Sequence, residues 1–92
     1  MSLDKTLTSE QVLYKAHQLE LGLKIQPKRL NEHNNQVERY RFNIGKARYI
    51  IALEPYSCVY LLKATEFDSW QVLYKGPNVE KMFKEIKKLL EA

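Results

Sequence analysis

Cysteine occurs once in this chain, as Cys58, so neither an internal disulfide nor a cysteine zinc site can be built. A lone thiol of this kind implies a buried side chain in a reducing compartment. The three glycines stand apart from one another, which excludes a glycine-rich phosphate loop. Histidine is nearly as scarce: His17 and His33 stand far apart, out of HxxxH spacing, and no metal site follows from them. No apolar run exceeds about five residues, against the ~20 that a membrane helix requires. Asp4, Lys5 and Glu10 interrupt the start, where a signal peptide would need an apolar core. These absences predict a soluble, cytoplasmic protein with no membrane partner, no metal and no cofactor.

Positive charge is present but uneven. Seven of the fifteen basic residues lie between Lys24 and Arg48, with only Glu32 and Glu38 against them. That stretch carries +5, and the remainder, eight basic against nine acidic residues, carries −1. A local excess of this kind concerns what the surface attracts rather than how the chain folds. At 92 residues, 45% of them apolar, the chain is long enough for one small core and too short for two. A single domain over residues 1–92 is expected.

Periodicity and punctuation predict the elements. Thr8 and Gln11 have capping-box spacing, Leu7 and Val12 flank them as a hydrophobic staple, and Val12, Ala16, Leu19 and Leu23 recur on one helical stripe. A helix from Ser9 to about Leu21 follows, with Gly22 as its breaker. From Lys24 to Gln36 the pattern dissolves around Pro27 and the NEHNN run, which predicts an exposed loop. An antiparallel meander comes next: Val37–Ile44, a Gly45-Lys46 hairpin turn, Ala47–Glu54, a Pro55-Tyr56 turn, Cys58–Ala64, and Trp70–Lys75. These turns place Phe42 opposite Tyr49, Tyr40 opposite Ile51, Ile51 opposite Tyr60, and Arg48 opposite Lys63. Asn78 then caps a last helix whose stripe runs Val79, Met82, Phe83, Ile86, Leu89 and Leu90. The fold class is α+β, a three- to four-stranded antiparallel meander flanked by an N-terminal and a C-terminal helix, α-β-β-β-β-α. The pentapeptide QVLYK occurs twice, at 11–15 and 71–75, the first predicted on a helix and the second on a strand.

The strongest candidate site is basic. Arg39, Arg41, Arg48 and Lys63 are expected on one side of the sheet, with Lys28 and Arg29 arriving from the preceding loop. Strand residues two apart lie roughly 7 Å apart, close to the spacing of successive phosphates on one strand. The expected function is therefore a non-enzymatic small module that binds nucleic acid or another polyanion. Ile50, Val59 and Leu61 are expected at the centre of the same face. This supports an alternative, in which Tyr56 and Trp70 join them in an interface with a protein partner or a homodimer. Tyr40, Phe42, Tyr49 and Tyr60 are expected to pack as core. On the last helix, Glu80–Lys84, Lys81–Glu85 and Glu85–Lys88 have ion-pair spacing and predict a solvated face. A third reading, an enzyme using His33 or Cys58, has no supporting motif; Cys58 is expected on the inward face of its strand. Glu66 and Asp68 share a loop without a predicted pocket.

Overall fold

A computed structural model describes residues 5–92 apart from 31, 33, 55–57, 67 and 68, with side chains from residue 9 onward. The chain runs α1 (Lys5–Gln18), β1 (Lys24–Leu30), β2 (Gln36–Ile44), β3 (Ala47–Leu53), β4 (Val59–Ala64), β5 (Trp70–Gly76) and α2 (Val79–Glu91). The strands form one antiparallel sheet in sequence order, β1-β2-β3-β4-β5. This is the expected α+β class with an N-terminal and a C-terminal helix, but with five strands rather than three or four.

The additional strand is β1, in the stretch expected to be a loop. Pro27 conceals it, because proline has no N–H to give a ladder. Two features of β1 accommodate the ring. It is an edge strand, and its pairing with β2 is irregular between Gln26 and Arg29, where Pro27 lies.

The β2–β3 hairpin has the expected register, with Phe42 opposite Tyr49 and Tyr40 opposite Ile51. Gly45 supplies the turn's positive φ, at 60°. The β3–β4 register departs from expectation by one residue. Ile51 faces Leu61 rather than Tyr60, and Tyr49 faces Lys63 rather than Leu62. The reason is the connection: the Glu54 N–H donates to the Cys58 carbonyl at 3.0 Å, which leaves 55–57 as the linking residues. A turn centred between Pro55 and Tyr56 would instead have set Glu54 against Ser57; those turn residues lie outside the described ones. One extra residue in the link turns every β4 side chain to the other face.

Both helices pack on the same face. Val12 and Ala16 of α1 and Val79, Met82, Phe83 and Ile86 of α2 share one buried cluster with Tyr40, Phe42, Tyr49, Ile51, Leu53, Val59 and Leu61. The Phe42 and Tyr49 rings stack within it at 5.3 Å. Tyr40 and Ser9 both donate to Glu38 Oε2, which ties α1 to β2. The α2 start is as expected, with the Lys81 N–H donating to Asn78 Oδ1 at 3.1 Å. Its stripe is shorter than expected, because Leu90 is exposed.

Helix α1 begins at Lys5, so Thr8 lies inside it and does not cap it. At its other end the Leu21 N–H donates to the Ala16 carbonyl and the Glu20 N–H to that of His17, a Schellman arrangement. Glu20, at φ 56°, takes the left-handed position of that motif, and Gly22, the expected breaker, is left-handed as well at φ 64°.

Candidate functional site

Placing both helices on one side leaves the opposite face of the sheet uncovered by any described element. Its composition follows from alternation along each strand. Lys24 pairs with Arg41 and Gln26 with Arg39, so β1 and β2 put Lys24, Gln26, Arg39 and Arg41 on this open face. Arg29 pairs with Val37 on the same side, past the irregularity that holds Lys28. Strand β3 adds Arg48, Ile50 and Ala52, opposite Asn43, Arg41 and Arg39. Strand β4 adds Tyr60, Leu62 and Ala64, which face Lys75, Val72 and Trp70 of β5.

The face therefore has two halves. The β1–β2 half, extended by Arg48, is cationic. Arg39 and Arg41 are half-buried, while Lys24, Arg29 and Arg48 are exposed. Among the described residues no carboxylate lies within ion-pair distance of any of these five; the ion pair formed is Lys88–Glu85 on α2, at 3.3 Å. The guanidinium of Arg39 has its pKa lowered, first by burial and then by the like charge of Arg29. Positive groups gathered without a counter-charge repel one another until an anion joins them.

The β4–β5 half is apolar and aromatic. Trp70 is 41% and Val72 54% exposed, beside half-buried Leu62 and Tyr60. The Tyr60 hydroxyl donates to Glu54 Oε2 at 3.2 Å, and Lys75 Nζ stands 5.5 Å from its ring centroid. A side-chain hydrogen bond with Cys58, then burial, raises the Tyr60 phenol pKa above its ordinary 10.0. The halves meet at Ile50, which is only 3% exposed. Where β3 approaches the β4–β5 loop, Arg48, Ala64, Thr65, Ser69 and Trp70 line a shallow pocket of about 190 Å³. Thr65 Oγ1 and Ser69 Oγ are 2.6 Å apart at its edge.

Of the six basic residues singled out in the sequence, the structure brings Arg29, Arg39, Arg41 and Arg48 to this face. Lys63 is a correction: paired with Tyr49, it points to the helix side. Lys28 is exposed within the β1 irregularity, next to Arg29. Of the expected interface residues, Val59 and Leu61 are a second correction. Both are 0% exposed in the core beneath the helices, where the one-residue register shift puts them. Tyr60 makes the reverse move and leaves the expected aromatic core for the open face. Cys58 precedes β4 and is half-buried, rather than lying inward at mid-strand. Tyr56, His33, Phe67 and Asp68 lie outside the described residues. Lys24 and Gln26 are site residues that sequence reasoning does not find, because Pro27 makes their stretch resemble a loop. The pairing of Lys24 with Arg41 becomes visible only once the strand is recognised.

Among the described residues, no three His, Cys, Asp or Glu side chains gather as a metal-holding group. No described helix is long and apolar enough to cross a membrane. No protein-family model, curated protein or solved structure matches the chain.

Proposed function

We propose that this protein binds nucleic acid on the open face of its sheet. One observation carries the reading: Lys24, Arg29, Arg39, Arg41 and Arg48 converge on a face that neither helix covers, with no carboxylate among the described residues paired to them. A phosphate backbone supplies the missing negative charge. Its binding releases condensed counterions, so affinity falls steeply with salt and carries little sequence preference. Fluorescence anisotropy of a labelled oligonucleotide at about 50 and 200 mM salt tests this. Binding should weaken by orders of magnitude across that range. Arg39→Ala/Arg41→Ala should flatten the salt dependence by about 0.7 of a log unit for each phosphate of a single strand that is no longer neutralised. Absence of binding at the lower salt would overturn the proposal.

A second reading has its own support. Val72 and Trp70 are exposed beside Leu62 on an uncovered sheet face, as expected of a surface that docks a protein partner or a second copy. The cations, which no carboxylate among the described residues pairs, count against a second copy, since two such faces would bring like charges together.

A further inference from the structure

We infer that the nucleic acid bound on this face is single-stranded, with one base stacked on the Trp70 indole in the pocket it shares with Arg48. This rests on the nucleic-acid reading above and narrows it.

Three observations carry the inference. The first is the shape of the surface. Five strands at about 4.8 Å spacing present a face roughly 19 Å wide, too broad to enter a B-DNA major groove of about 12 Å. A duplex could meet this face only through its phosphates. Trp70, Val72, Leu62 and Tyr60 would then stand against a charged backbone with no partner. An unpaired strand offers both surfaces these halves require, a charged backbone on one side and flat apolar bases on the other.

The second observation is where the halves touch. Arg48 and Trp70 line the same pocket, one on β3 and the other on β5, two strand spacings or about 10 Å apart. A nucleotide laid across it sets its base on the indole and its phosphate against the guanidinium. The hydroxyls of Thr65 and Ser69 stand at the pocket's edge, where sugar and base edges would reach them. The third observation is charge order. Lys24, Arg29, Arg39 and Arg41 continue from Arg48 toward β1, so most cationic partners for the backbone lie on one side of a line and the apolar partners for bases on the other. Lys75, beside Tyr60, is a cation on the apolar side as well.

Trp70 is the only tryptophan in the chain, so its fluorescence reports the pocket without a label. The probes are an unlabelled single strand of about twelve nucleotides, its duplex, an abasic strand of the same length, and inorganic polyphosphate. The single strand should quench Trp70 and bind more tightly than the other three; abasic strand and polyphosphate should leave the emission unchanged. By anisotropy, Trp70→Ala should weaken single-strand binding by about 5- to 150-fold, the range for removal of one stacked base. Trp70→Phe should restore most of that affinity, which separates stacking from a folding defect. Salt-sensitive binding in which single, abasic and duplex strands are equivalent and Trp70→Ala has no effect would overturn the stacking inference while leaving the phosphate reading intact. Failure to bind any probe at low salt would overturn both.

Discussion

Glu20 adopts φ 56°, a conformation that costs an L side chain roughly 1–2 kcal/mol. It is held there because the Glu20 and Leu21 N–H groups close the last turn of α1 onto His17 and Ala16. Leu21 then buries in the same cluster as Ala16. Glycine would adopt this conformation without strain, though it would lose more freedom on folding. The first effect is the larger, so Glu20→Gly should stabilise the protein by about 0.5–1 kcal/mol. Urea unfolding should show the midpoint rising with an unchanged slope. The sequence indicated that a helix ends near Gly22, which is left-handed at φ 64°, but not that Glu20 takes a left-handed position before it. That choice depends on where the chain must turn to bring Leu21 into the core, which a propensity scale does not contain.

At the scale of elements, β4 shows how much rests on one residue. Its alternation was legible, yet which set faces the helices depended on the link between β3 and β4. Leu61 is buried at 0% exposure, whereas Val72, on the opposite face, is 54% exposed. Leu61→Ala should therefore cost about 2–5 kcal/mol, and Val72→Ala less than about 1 kcal/mol. For a domain of this size each kcal/mol moves the melting temperature by about 4–8 °C, so thermal unfolding separates the two variants clearly. Equal effects would contradict the observed register. The site changed with the register. The shift removed Lys63 from the basic face, removed Val59 and Leu61 from the expected interface, and delivered Tyr60 to the open side. Strand β1 is the other element the sequence did not reveal, since Pro27 and the lack of alternation argue against a strand except at an irregular edge.

For the whole molecule, the decisive feature is that both helices lie on one side. The shortest extent is 20 Å, room for one sheet and one layer of helices. The face that neither helix covers offers two kinds of partner, and self-association tests whether its apolar half docks a second copy. Gel filtration and light scattering across a range of concentrations should show a monomer, with Val72→Asp eluting as the wild type does. A dimer dissociated by Val72→Asp would move the reading to an interface between copies. Val72 is the residue for this test rather than Ile50, because a charge at Ile50, only 3% exposed, would disturb folding itself.

The sequence by itself determined the order of every element except β1, the C-terminal helix with its Asn78 cap, the Gly45 hairpin with its register, and the concentration of positive charge between Lys24 and Arg48. All of these rest on local rules, in which a cap, a turn residue or a periodic stripe acts within a few positions. The tertiary structure decided what those rules do not reach. QVLYK is the clearest case. At 11–15 it lies in α1 with Val12 in the core and Leu13 exposed; at 71–75 it lies in β5 with Val72 exposed and Leu73 packed inward. The same five side chains satisfy either backbone, so their neighbours set the outcome. Placing both helices on one face is a choice of the same kind. It buries the stripes of α1 and α2 in one core with the inward residues of β2, β3 and β4, and it leaves Arg39, Arg41, Arg48 and Trp70 together on the face that remains.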